Sequence, residues 1–262
     1  HLLGEFVGKA AGKTLIVFGS IHGNEASGVK ALKRVLPKLQ KIQDKLNGRV
    51  YFLAGNTRAL QKGVRFIDSD LNRHWTAKNI YYNEPNRQNP PNISEDNEQK
   101  ELLNSLRSIL RTAGNEVYVL DLHSTSADGI PFATLGDTLR NRDFAQKFPI
   151  TILLGIEEQL DGTILEYLNN LGCITLGYEA GQHFAEATID NHEALVWLAL
   201  VNSGILKRED CADYQKHFEV LEKASGTGRI VEVRYREAVN PEVDGFTMNQ
   251  GYENFQPITK GE

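Results

Sequence analysis

Residues 14–20, TLIVFGS, form an unbroken apolar run that ends in Gly-Ser, and the chain then changes period. From Glu25 to Leu36 the apolar residues recur at Ala26, Val29, Leu32 and Val35, the spacing of one helix face. The unit is strand, loop, helix, and a strand that is apolar at every position is one buried on both faces. Working outward, residues 49–54 (RVYFLA), 117–122 (VYVLDL), 150–154 (ITILL) and 173–178 (CITLGY) read as further buried strands. Helical patterns occupy residues 95–111, 162–170 and 191–203. The alternation predicts an α/β fold with a mostly parallel or mixed central sheet and helices on both faces. Ligand sites in such sheets lie beyond the carboxyl ends of the strands.

The chain has 262 residues, enough for one large domain with an appended module, and 40% hydrophobic with 24% charged residues excludes a disordered chain. A net charge of −5, with Lys and Arg scattered among acids, lacks the footprint of a nucleic-acid binder. Cys173 and Cys211 form no C-x-x-C pair, so neither a disulfide framework nor a thiolate zinc site is expected. No apolar run is long enough to span a membrane and no signal-peptide pattern opens the chain, so a cytoplasmic protein without a membrane partner is expected. Residues 81–94 (YYNEPNRQNPPNIS) predict a long surface loop, able to serve as a rim or lid. After Gly226 the texture changes to RIVEVRYREAV at 229–239, a β pattern followed by turn signals at Asn240-Pro241 and Asp244-Gly245. The division predicted is an α/β domain over residues 1–225 and the start of a small β domain over 226–262.

In Gly19-Ser-Ile-His22-Gly23-Asn24-Glu25 a histidine and a glutamate stand three residues apart at a strand end, so both side chains can converge on one point. An imidazole and a carboxylate both suit zinc, and three protein ligands leave a fourth position for water. Asp121-Leu-His123 follows another buried strand, where a period of two puts both side chains on one side, which makes His123 the third ligand. The other histidines, His1, His74, His183, His192 and His217, lack such a setting and read as surface or packing residues, with His183 a candidate for the pocket rim. Between the ligands lies RFIDSDLNR, residues 65–73. Arg73 with Asn72 could grip a carboxylate through the arginine fork, and Arg65 could face an oxygen that becomes negative during attack. With Glu25 on the metal, the base must be another carboxylate, and the residues alone rank Glu179 no higher than Glu157, Glu158 or Glu186.

HGNE, RFIDSDLNR, DLHS and GYEAG, in that order, resemble the succinylglutamate desuccinylase/aspartoacylase family, which is related to zinc carboxypeptidases. The likeness runs from about Thr14 to Ser203, and the late GYENFQPITKGE resembles the start of that family's C-terminal β domain. The resemblance implies one zinc per chain on His22, Glu25 and His123, with Asp70 orienting His22. It also implies Arg65 at the oxyanion, Asn72 and Arg73 on a substrate carboxylate, and Glu179 as general base and acid. The activity implied is hydrolysis of the amide bond of a small anionic N-acyl amino acid. A zinc carboxypeptidase acting on a small peptide and a noncatalytic ligand-binding relative are the alternatives. Family members use additional Arg or Tyr residues to recognise a second acid group on the acyl portion. The segment before Glu179 supplies Tyr167 and Tyr178 but no arginine, so the acyl group stays open.

Overall fold

The computed structural model describes residues 1–8, 12–84, 92–114, 116–226, 228–240, 244–247 and 249–261. The first half of the chain forms β1 (Leu2–Val7), β2 (Lys13–Gly19), α1 (Ser27–Gln40), β3 (Gly48–Ala54), α2 (Thr57–Lys62), α3 (Ala77–Tyr82), α4 (Ser94–Thr112) and β4 (Val117–Thr125). The second half forms β5 (Phe132–Thr134), α5 (Leu139–Ala145), β6 (Thr151–Leu154), α6 (Ile164–Asn170), β7 (Ile174–Gln182), α7 (Glu186–Asn202), α8 (Tyr214–Ser225) and β8 (Ile230–Glu232).

The strands join one mixed sheet in the order β1-β3-β2-β4-β7-β5-β6-β8. Strands β3, β2, β4 and β7 are mutually parallel, while β1 and β5 run against their neighbours β3 and β7. The apolar run of β2 divides between two cores as the pleat requires. Leu15 and Val17 pack with Leu32, Val35 and Leu39 of α1 and with α7, whereas Ile16 and Phe18 pack with Leu102, Leu103 and Leu106 of α4 and with Leu168 of α6. Helices thus cover both faces, as the unbroken apolar strands predict, in a zinc-carboxypeptidase-like architecture. β2 is followed by β3 on one side and lies beside β4 on the other, so a crevice opens between the carboxyl ends of β2 and β4.

Differences from the sequence reading fall at the short or exposed elements. β1 and β5 were not anticipated, nor were α2, α3, α5 and α8, most of them short. The β pattern at 229–239 becomes only β8, because its parallel partner β6 ends at Leu154 and the pairing ends with the bond from Val233 N to Leu154 O at 2.9 Å. Of the loop expected over 81–94, residues 81–82 end α3 and Ser94 opens α4, while 85–91 lie outside the described residues. Pro241 of the later turn signal also lies outside them. No helix among the described residues is long and apolar enough to cross a membrane.

Candidate metal centre and its cleft

Ser20 turns the chain out of β2 with φ 60°, a left-handed conformation uncommon for a residue with a side chain, and its Oγ donates to Glu25 O at 2.9 Å. The turn closes over α2 so tightly that a Cβ on Gly23 would stand 2.2 Å from the Ala59 carbonyl carbon. Only glycine lets the HGNE loop lie there, and Gly23 N donates to Arg65 O at 3.0 Å, tying it to the 65–73 segment. Glu95, fully buried at the start of α4, organises that segment in turn. Its carboxylate accepts from the backbone N–H groups of Ile67, Asp68 and Ser69 and from the Asn56 amide at 2.8–3.2 Å. Burial alone would push this carboxyl up, but the four donors hold it below the usual carboxylate range.

His22, Glu25 and His123 come together, their donor atoms within 4.8 Å of one another. His22 Nδ1 lies 2.9 Å from Glu25 Oε1, and His123 Nδ1 lies 3.0 Å from Glu25 Oε2. The opposite nitrogen of each ring faces another carboxylate: His22 Nε2 is 3.0 Å from Asp70 Oδ1, and His123 Nε2 is 2.8 Å from Asp121 Oδ2. Ligating histidines are usually held this way, with a carboxylate fixing the tautomer and raising the basicity of the ligating nitrogen. The set of two imidazoles and one carboxylate is a zinc-type donor set. Donor atoms around a tetrahedral zinc stand ~3.3 Å apart, close to the 2.9 and 3.0 Å that separate each imidazole from its own Glu25 oxygen. The three residues could therefore hold a metal ion.

Charge around the three residues is unbalanced toward the acids. Burial would disfavour imidazolium at both rings, yet the surrounding carboxylates hold His22 above its usual range and His123 well above it. Glu25 is correspondingly held far below the carboxylate range, against its own burial, by His123 and His22. Asp70 is held down likewise by His22 and by Arg65, whose Nη2 donates to Asp70 Oδ2 at 3.0 Å. Positive charge placed between these groups is favoured electrostatically.

Glu179 sits on β7 directly beside His123 of β4 in the strand register. Its Oε2 is buried with no hydrogen-bond partner among the described residues, and burial pushes the carboxyl up to about 7, against the pull of His123. Asn72 is buried, its Oδ1 accepting from Ile164 N at 3.0 Å and its Nδ2 lying 3.4 Å from His123 Nε2. Arg73 is exposed, with Nη1 donating to Asn72 O at 2.8 Å. His22, Glu25, Arg65, Asn72, Arg73, His123 and Glu179 line one cleft of about 550 Å³, while Asp70 and Asp121 lie behind the two histidines. His183 is on its rim, with Nδ1 2.8 Å from Ser124 Oγ.

A family model described as the succinylglutamate desuccinylase/aspartoacylase catalytic domain matches residues 11–202. The chain belongs to this family. The succinylglutamate desuccinylase of Pseudomonas paraeruginosa is 37% identical over 67 residues, which is 26% of this chain and 20% of that protein. The matched part is thus about a fifth of the length of such curated relatives. Among solved structures, a succinylglutamate desuccinylase/aspartoacylase from Rhodobacter sphaeroides has a TM-score of 0.61 at 18% identity, covering 87% of this chain and 65% of that one. The product-bound ectoine utilization protein EutE from Ruegeria pomeroyi has a TM-score of 0.59 at 21% identity, covering 76% and 60%. At these identities the structural likeness is one of fold.

Every residue named above for the centre, from His22 to Glu179, lies inside the stretch matched by the desuccinylase/aspartoacylase model. Sequence reasoning placed Asp121 beside His123 without assigning it the contact it makes, although the D-x-H spacing on a strand was the available signal. Asn24 and Ser124, inside the HGNE and DLHS motifs but given no role from them, also line the cleft, as do Thr134, which lies outside the motifs, and Glu157, weighed from sequence only as a base. Tyr167 and Tyr178, the only candidates for an acyl-side anchor, do not line it: Tyr167 stacks on Trp75 at 5.4 Å and Tyr178 is buried against His192.

Proposed function

We propose that this chain is a zinc-dependent hydrolase of N-acyl amino acids, releasing a carboxylate and a free amino acid. The observation that carries the reading is the pair of histidines that share Glu25 on one ring nitrogen and are each backed by an aspartate on the other, with the unpartnered Glu179 oxygen alongside. His22, Glu25 and His123 would hold one zinc. When bound, the ion supplies a Lewis acid that activates water and polarises a carbonyl. Glu179 takes a proton from the attacking water and returns it to the departing amine nitrogen, a task suited to a carboxyl raised toward neutrality. Arg65 places its guanidinium where negative charge develops on the former carbonyl oxygen, and Asn72 with Arg73 binds the substrate carboxylate. Asp70 and Asp121 orient the two histidines.

The assignment of residues 1–225 as the hydrolase domain and 226–262 as the start of a β domain belongs to the same proposal. It is supported by a change in texture, since no described residue from 226 onward is buried.

The test is elemental analysis of the purified protein coupled to amine release from N-acyl amino acids and from short peptides, before and after chelation. About one zinc per chain with chelator-sensitive release from acyl amino acids is the expected result. Release from peptides alone would assign a carboxypeptidase, and metal-independent binding without release would assign a ligand-binding relative.

A further inference from the structure

Arg65, Arg73 and Glu157 line the same cleft, and Glu157 is the only charged residue that the turn after β6 contributes to it among the described residues. Glu157 opens a short 3-10 turn, Glu157–Gln159, that follows β6. One oxygen is fixed from below, since Thr134 Oγ1 donates to Glu157 Oε1 at 2.9 Å. Thr134 reaches it because Gly177 lies opposite in the β5–β7 register, and a Cβ on that glycine would come within 2.5 Å of the hydroxyl. The neighbouring Glu158 pins the turn by accepting from Asp137 N at 2.7 Å. Among the described residues no lysine or arginine pairs with Glu157, and no donor reaches its second oxygen. A carboxylate held in place at a cleft wall without a cationic partner is a receptor for a cation or an N–H donor brought by a ligand.

We infer that Glu157 selects substrates carrying a cationic amine in addition to the carboxylate gripped by Asn72 and Arg73. The preferred substrate is an N-acyl amino acid with one carboxylate and one ammonium group, and a second acid group is disfavoured. This rests on the deacylase reading for the reaction but not for the binding preference. An acid group beside Glu157 would meet it as a like charge, and among the described residues that line the cleft there is no tyrosine and no arginine besides Arg65 and Arg73. Whether the ammonium sits on the acyl group or on the amino-acid side chain is left to the two arms of the experiment.

The experiment measures kcat/KM, and separately binding by calorimetry, for the full chain and its E157Q and E157K variants on two matched series. The first is Nα-acetyllysine, N-acetylnorleucine and N-acetylglutamate; the second is 4-aminobutanoyl-, butanoyl- and succinyl-alanine. In one series the wild-type chain should favour the cationic member over the neutral one by about tenfold or more, the worth of one charge-assisted hydrogen bond. E157Q should collapse that ratio and E157K should reverse the order toward the dianion. A merely structural role for Glu157 would lower all members together and leave the ratio unchanged, which overturns the inference, as does a wild-type preference for the dianion. A cation preference in binding that E157Q abolishes, with no turnover of any member, sustains the inference and refutes the deacylase reading. Turnover without charge discrimination does the reverse, and neither binding nor turnover refutes both.

Discussion

At the scale of single residues, the centre depends on which carboxylates touch imidazole and which do not. Glu25 bridges both rings, so His123→Ala should lose the metal, whereas Glu179→Ala, at a carboxylate whose Oε2 has no hydrogen-bond partner among the described residues, should retain it and lose turnover by about 10²–10⁴-fold. Metal content and kcat measured on the same preparations check this, and equal metal loss in both variants would contradict the assignment. Asp121 is fully buried with one oxygen on His123 Nε2 at 2.8 Å and the other unpartnered among the described residues. Asp121→Asn keeps the shape but weakens the hold on the ring, so zinc affinity should fall about 10–100-fold in a chelator competition. An unchanged affinity would show that the strand geometry alone orients His123.

At the scale of elements, α4 does more than cover the sheet. Glu95 holds three successive backbone N–H groups of the 65–73 segment, and Glu98, one turn later, accepts from the N–H groups of Thr57 and Arg58 at the start of α2. Glu95→Gln should cost about 1–3 kcal/mol of stability, because charge-assisted bonds become neutral and the amide nitrogen cannot accept. Urea unfolding measures this directly. Glu95 and its neighbour Asp96 are both held below their usual ranges in the folded chain, Asp96 against its burial by Asn83, His74 and the N–H groups of Asn92 and Ile93. For such depressed groups the unfolded chain binds protons first as pH falls, so their stabilising effect is complete above the unfolded carboxylate range and is lost on descending through the folded one. The urea midpoint should therefore fall on acidification below about pH 5, with a shallower slope in Glu95→Gln. An identical slope in the variant would remove Glu95 as a source of the acid sensitivity.

At the scale of the whole molecule, the centre ties together parts distant in sequence: the loop after β2, the end of β4, β7 and the 65–73 segment. A metal that binds only this folded arrangement stabilises it by mass action, by about 2.7 kcal/mol at a hundredfold excess over Kd. Chelation should lower the melting temperature of the wild-type chain by roughly 5–10 °C and leave that of His123→Ala unmoved. Equal shifts in both would mean that the chelated metal lies elsewhere.

The long apolar strands and helix periods by themselves determined the covered α/β sheet, because burial on both faces leaves strands such as 14–20 no polar side to show. They also determined where a site must lie, since the HGNE and DLH motifs follow directly on strand ends. Short elements such as β5 and α5 were not legible, because a few residues carry too little periodicity and their stability comes from the neighbours they pair with. Only the tertiary structure put Asp121 on His123 and Glu95 under the 65–73 segment, and left Tyr167 and Tyr178 outside the cleft. It also brought Glu157 into the same cleft as Arg65 and Arg73, because the strand order brings β5 and β6 alongside β7. Contacts across a sheet depend on which strands become neighbours, and no local pattern in the chain encodes that.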